Sequence, residues 1–268
     1  MDQPQTEAEF NKEKETDHKG QPVAPVGPPH HHSAKKHLKE YLQEGLMIFI
    51  AVMLGFFAEK VRENLSNKEK EHQYMTSYIR DLKDDSAKLN LAIQNNRYKS
   101  VMLDSLLMLS LKNLSEPDNR LRFYRYCKNF VGFYSEFKNN EATFLQLTNA
   151  DGLRLIKKNH AADSIAKYAI LLKDIYAAEK IYADAAGAAA SASQEVLDYG
   201  MIYDSTYYKN GDFTNKFLPL LNNDTQKIKW LLNKIAFERL ATDTYLAYLE
   251  SLQPFQTGFI QFLENTYE

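Results

Sequence analysis

The sequence predicts an all-α protein, with one N-terminal transmembrane helix followed by an elongated helical bundle of about five helices. Three observations lead there. Gly45 to Ala58 is an uncharged, apolar run in a chain otherwise rich in Lys, Glu, Asn and Tyr. Apolar residues recur at three- and four-residue intervals over most of the remainder, the period of a helix with one buried face. Helix breakers are scarce: the 268 residues hold 10 Gly and 8 Pro, and Pro4, Pro22, Pro25, Pro28 and Pro29 all precede the apolar run.

Composition bounds the rest. A hydrophobic content of 44% is enough for one good core beyond the anchor. The formal net charge of -2 leaves no basic surplus, which argues against a nucleic-acid partner. The lone Cys127 excludes an internal disulfide and a thiolate zinc site, and it reads as a small core residue of an aromatic helix.

In chain order, residues 1–34 are polar, then Pro- and His-rich, and are expected to be a disordered tail that builds no core. His30, His31, His32 and His37 lack a carboxylate or thiol at a fixed spacing, so no metal is assigned to them. Residues 41–61 are expected to form the transmembrane helix. That segment runs about 31 Å at the helical rise, with Glu44 about one turn inside one boundary and Glu59, Lys60 and Arg62 at the other. Charged side chains so near the ends reach the headgroups by extending along the helix. A cleaved signal fits poorly, because 44 residues precede the run and a cut after Ala58 would place Phe56 where a small residue is needed. A soluble core helix should show a polar stripe, and Leu46 to Phe57 shows none. Ala51 and Gly55 form a small-xxx-small pair that would let two such helices approach closely.

Residues 62–268 are expected to form a helical soluble domain, with 62–74 as a membrane-proximal stalk. The helical pattern runs through the boundary into Met75, Ile79, Leu82, Leu89 and Ile93. Asp81, Asp84 and Asp85, beside Lys83 and Lys88, read as a solvated helix face. Val101 to Leu111 extends this helix or begins the next. Ser115-Glu-Pro-Asp118 is a helix start, opening an aromatic helix that carries Phe123, Tyr124, Tyr126, Phe130, Phe133 and Tyr134 and closes at Asn139-Asn140. Thr143 to Thr148 is a short segment capped by that pair, and Asp151-Gly152 a turn. From about Ala161 to Tyr203 the pattern is helical, with Ile165, Tyr168, Leu172 and Ile175 on one face and small residues from Ala183 to Ala192 that permit close packing. Asn210-Gly211 marks a turn. Asn223-Asp-Thr-Gln226 starts a helix carrying Leu231, Ile235, Thr242, Tyr245, Leu249 and Leu252. Pro254 is expected to end it, with Phe255 to Leu263 as a last helix.

Site motifs are missing. The sequence holds no His-Glu-x-x-His, no Gly-x-x-x-x-Gly-Lys, no Gly-x-Ser-x-Gly, no Gly-x-Gly-x-x-Gly and no Cys-x-x-Cys. His72 and His160 stand alone and read as surface or packed imidazoles. No catalytic, cofactor-binding or metal-binding residue is assigned, and no cofactor.

An acid opening an apolar run, a second acid nineteen residues on, a charged stalk and a helix reaching Asp-Leu are here Glu44, Leu46 to Ala58, Glu63, Lys68 to Glu71 and Tyr78-Ile-Arg-Asp-Leu82. Thr143-Phe-Leu-Gln-Leu-Thr-Asn-Ala-Asp-Gly-Leu-Arg-Leu-Ile-Lys-Lys-Asn159 forms a second block around a Gly. Together they resemble an uncharacterised family of single-span, helix-rich inner-membrane proteins of Gram-negative bacteria, over roughly residues 38 to 170. The departures are Gln43 and Val61, where that family usually carries Gly and Trp. The resemblance implies an inner-membrane protein without assigned activity.

The expectation is therefore a membrane-anchored, non-enzymatic interaction or scaffold module. The alternative is a ligand-sensing domain signalling through the single span, and the third reading is an enzyme whose carboxylates converge from different helices. Expected partners are membrane lipid along 41–61 and proteins, a second copy of the chain included, without nucleic acid. Lys35, Lys36 and Lys39 on one side nearly balance Lys60, Arg62, Lys68 and Lys70 on the other. The usual orientation of an N-terminal anchor then places the domain in the periplasm.

Overall fold

The computed structural model describes residues 34–110, 114–148, 152–158 and 160–267. The tail expected over 1–34 lies outside them apart from Ala34, and so does Asp151 of the expected turn. The protein is all-α. Its helices are α1 (Ala34–Ser110), α2 (Pro117–Phe130), α3 (Glu141–Thr148), α4 (Gly152–Leu155), α5 (Ala161–Val196) and α6 (Thr225–Tyr267). The chain divides into two compact units, residues 1–59 and 60–268.

Within the first unit the described residues are all helix, and every side chain from Leu38 to Glu59 is exposed. Met47 is 72% exposed and Phe56 71%. One helix among the described residues is long and apolar enough to cross a membrane. Its most apolar window has a mean hydropathy of 1.7, and none of that window is buried against protein.

The second unit is built on α5, α6 and the part of α1 beyond Glu59. Here the inward positions of α1 are Glu71, Met75, Tyr78, Leu82, Asp85, Leu89, Ala92, Asn96, Lys99, Leu103 and Leu106. Steps of four and three alternate along this row, the seam of helices that pack side by side. In α6 the same rhythm runs through Leu231, Ile235, Glu238, Thr242, Tyr245, Leu249, Leu252, Gln256, Phe259 and Leu263. In α5 it runs through Ile165, Tyr168, Leu172 and Ile175, then into buried Ala185, Ala186, Ala189 and Ala192, whose small side chains let neighbouring backbone come close.

Two hydrophobic cores result. One joins Met75 to Ile93 of α1 with Tyr168 to Tyr182 of α5 and Tyr245 to Leu263 of α6. The other joins Leu103 to Leu109 with Phe123, Tyr124 and Cys127 of α2, Val196 of α5 and Leu231 and Ile235 of α6. Tyr124 ties the second core to its loops, since its hydroxyl donates to Pro219 O at 2.7 Å and accepts from Asp198 N at 2.9 Å.

Four element boundaries differ from expectation. The helix expected to reach Tyr203 stops at Val196, where Leu197 turns extended and bridges to Leu220, and only a separate 3-10 turn follows over Tyr199–Tyr203. The aromatic helix α2 stops at Phe130, so Phe133 and Tyr134 lie in an irregular strap, Val131 to Asn140, that crosses the bundle. Gly132 turns the chain there at φ 85. The Asn210-Gly211 turn closes a two-strand hairpin, β1 (Tyr208–Lys209) and β2 (Asp212–Phe213), with Tyr208 opposite Phe213. Positive φ at both turn residues, 51 and 83, is what a two-residue hairpin loop requires. Finally, α6 runs unbroken through Pro254. A proline in a helix interior costs about 3 kcal/mol, and buried Leu252, Gln256, Phe259 and Leu263 on either side offset that cost. Pro254→Ala is accordingly expected to stabilise the domain by about 1–3 kcal/mol. A lowered thermal midpoint would mean that the ring is needed to turn the chain.

Candidate functional site

The domain offers two concentrations of non-routine residues, a buried polar layer and an exposed apolar groove. Between the two cores, Lys99 of α1 meets Glu238 of α6 at 2.7 Å, with the carboxylate side chain fully buried. Lys99 also donates to Phe133 O of the strap and lies over the Tyr182 ring, 4.7 Å from its centroid. Glu238 Oε1 accepts from Gly132 N at 3.0 Å, while Oε2 has no hydrogen-bond partner among the described residues. Asn96 donates to Ser135 O at 2.8 Å and accepts from the Tyr182 hydroxyl at 2.8 Å.

The same logic recurs wherever a connection crosses the bundle. Tyr245 OH accepts from Phe137 N at 2.9 Å. Asp85 accepts from Asn140 N through both carboxylate oxygens, at 2.9 and 2.8 Å. Glu71 accepts from Lys157 N at 2.9 Å and from the Tyr267 hydroxyl at 2.7 Å. Each buried acid thus supplies the acceptor that a backbone N–H without a helical partner needs. These groups hold irregular chain in place.

Asp85 is only 2% exposed, so the expected solvated face of Asp81, Asp84 and Asp85 is corrected at that residue. The seam passes through it, and the strap covers it. Cys127 is buried in the second core, where burial pushes its thiol far up. His72 is exposed, and His160, also exposed, sits at φ 59 with Nδ1 3.1 Å from Asp163. His30, His31 and His32 lie outside the described residues. Among the described residues no group of three or more His, Cys, Asp or Glu is placed to hold a metal ion.

Burial raises the carboxyls of Asp85, Glu179 and Glu238 above their ordinary values, against the pull of Asn140, Tyr245 and Lys99 respectively. Burial lowers the Lys99 ammonium in turn. A carboxyl whose folded pKa exceeds its unfolded one binds more protons when folded. These three groups therefore make stability fall as pH rises from the unfolded values, 3.8 for Asp and 4.5 for Glu, through the raised folded ones. The expected result is a urea midpoint that falls as pH is raised from about 4.5 to neutrality, with a smaller fall in Asp85→Asn. A midpoint that climbs with pH in the wild-type chain would contradict it.

The groove lies between α5 and α6. Ala177, Ala178 and Ala241 form its floor, and it encloses about 260 Å³. Its walls are Ile181, 58% exposed, Phe237, 52%, and Leu240, 58%. Asp174 stands at one end beside Tyr248, and past the other end Lys234 rests over Trp230, 4.3 Å from the ring centroid. Alanines on both helices leave no side chain tall enough to fill the trough. Side chains that meet α1 include Tyr182 of α5 and Glu238, Arg239, Asp243, Glu250 and Gln256 of α6, none of which lines the groove.

The chain matches no family model, no curated protein and no solved structure. What the site can do rests on its own geometry. The polar layer is engaged by backbone, which suits it to fixing register, and Asn96, Lys99 and Ser135 of that layer also line an open pocket of about 260 Å³. The groove is open, apolar and carried on two long helices, which suits it to contact with another surface. Sequence reading missed it, because Ile181, Phe237 and Leu240 pass for core residues of amphipathic helices.

Proposed function

We propose that the chain is a membrane-tethered helical module that acts through protein contacts and catalyses no reaction. The segment 41–61 is its anchor in the inner membrane, and the body from residue 62 onward lies in the periplasm. The observation that carries this reading is the pairing of two exposed apolar surfaces of different kinds. One is a helical segment apolar on every side, as lipid requires, and the other a groove with an apolar trough on a polar domain. The likeness of Glu44 to Ala58 and Tyr78 to Leu82 to single-span inner-membrane proteins supports the anchor.

Photo-crosslinking in living cells tests the reading. A crosslinking amino acid is placed singly at Ile181, Phe237, Tyr203 and Phe217, all exposed. Discrete adducts to protein are expected at one or more of these positions. Adduct-free chains at all four, with the protein intact in the membrane, would remove it.

A further inference from the structure

We propose that the pocket where α1, the end of α2 and the strap meet binds a neutral sugar ring, as a free monosaccharide or as one unit of a glycan chain. This goes beyond the interaction reading above and does not rest on it.

The pocket is built on buried polar side chains. Asn96 and Lys99 of α1 line it, the first fully buried and the second 7% exposed. Asn96 donates its amide hydrogens to backbone, at Ala92 O and Ser135 O, 2.8 Å each, and so fixes the strap as one wall. Lys99 carries three N–H donors. Two go to Glu238 and to Phe133 O, and the third has no oxygen acceptor among the described residues, only the face of the Tyr182 ring. A ligand oxygen on this floor would complete the ammonium's hydrogen bonds.

Aromatic rings form the walls, and they stay open to solvent. Tyr98 is 59% exposed, Phe133 64% and Tyr134 45%. Two of them are held edge-on by neighbours, Tyr98 by Phe130 and Tyr134 by Tyr182, each pair with centroids 5.7 Å apart. Rings fixed before binding lose little freedom when a ligand stacks on them.

The rim then selects the ligand. No Asp, Glu, Arg or His lines the pocket, and Glu238 neutralises Lys99, so neither an anion nor a cation finds an unmatched charge. The remaining polar groups are neutral: Asn95, Asn129, Ser135 and two tyrosine hydroxyls. Among the described residues the Tyr98 hydroxyl and Asn129 Nδ2 make no hydrogen bond, while Asn129 Oδ1 accepts from Lys128. A pyranose ring suits both walls and rim, since its C–H faces stack on aromatic faces and its hydroxyls donate and accept around the edge. A planar aromatic ligand would stack as well but would leave most of the amides and hydroxyls without partners. The volume, about 260 Å³, lies just below the range of about 300–1,000 Å³ that holds drug-sized ligands, the scale of a single ring.

The full chain in lipid nanodiscs is probed by saturation-transfer NMR with glucose, galactose and N-acetylglucosamine, and with glucuronic acid and nicotinamide for comparison. A saturable signal is expected from at least one neutral sugar, with a Kd of about 1 mM. Tyr98→Ala and, independently, Phe133→Ala should weaken it about tenfold. Asn129→Ala should weaken it about threefold, the effect of one neutral hydrogen bond. Far-UV dichroism should be unchanged in all three, because these side chains are exposed. Ile181→Ala, in the α5/α6 groove, should bind like the wild-type chain. A linear trimer of the bound sugar separates the two sources. Binding at least as tight as the monomer's assigns the pocket to a glycan chain, and loss of binding assigns it to the free sugar.

No saturable signal from any neutral sugar, binding unchanged in the three pocket variants, or tighter binding of glucuronic acid or nicotinamide than of every neutral sugar would each overturn the proposal. The four crosslinking positions lie outside the pocket, so these outcomes leave the interaction reading to its own test.

Discussion

Glu238→Ala is expected to destabilise the domain by about 3–5 kcal/mol, the cost of leaving a buried charge without its partner. The variant leaves the Lys99 ammonium among Tyr182, the strap and the second core, and it removes the acceptor for Gly132 N. For a body of this size the thermal midpoint should drop by about 10 °C. Replacing both partners with apolar residues, Lys99→Met together with Glu238→Leu, should cost much less, because no charge is then stranded. The pair therefore does more for register than for net stability. It sits between one core ending at Ile93 and another beginning at Leu103, where a slip of α1 by one turn would otherwise only exchange one apolar layer for the next. Hydrogen exchange separates the two roles. In the double apolar variant the Gly132 and Phe137 amides should exchange faster although global stability is largely kept.

Gly132→Ala is expected to cost about 2–5 kcal/mol, from the left-handed backbone and overpacking together. Gly132 holds φ 85, and a Cβ there would stand 2.5 Å from Ala190 Cβ. Ala190 belongs to the small-residue stretch of α5, and the strap enters the bundle across it. Chemical denaturation of the purified variant measures the loss. The control is Gly187→Ala on the same helix, where nothing lies within 4 Å of the added carbon and helix propensity should give a slight gain. Similar midpoints for the two variants would mean that the strap does not press on α5.

The helices were legible in the sequence chiefly through their apolar spacing; the start signals agreed only in part, since α2 is entered at Glu116 without a side-chain cap and α5 at left-handed His160. Asp224 caps α6 by accepting from Gln226 N at 2.8 Å, and Pro117 stands in the first turn of α2. Pro254 misled because local propensity argues for a break, whereas buried neighbours on both sides carry the helix through it. The strap misled because Phe133 and Tyr134 continue an aromatic helical pattern that Gly132 interrupts. Asp85, Lys99 and Glu238 were hidden by their chemistry, since a charged residue on a helix ordinarily reads as solvent-facing. Their register gave a usable signal. Extending the four-three steps from Met75 and Leu82 lands on Asp85, Asn96 and Lys99, and extending them from Leu231 and Ile235 lands on Glu238. Nothing local distinguishes the walls of the groove from core residues, because both are apolar positions on amphipathic helices and only the assembled bundle shows which side stays open.

The tether is tested by fusing alkaline phosphatase to the C-terminus, expressing the full chain in a Gram-negative host, and assaying the fractionated cells after an alkaline carbonate wash. High phosphatase activity retained in the washed membranes is expected from a single anchor over 41–61 with the helical body in the periplasm. Fusion protein recovered in the soluble fraction would contradict the anchor, and inactive fusion in the membrane fraction would put the body, and the partner of its groove, in the cytoplasm.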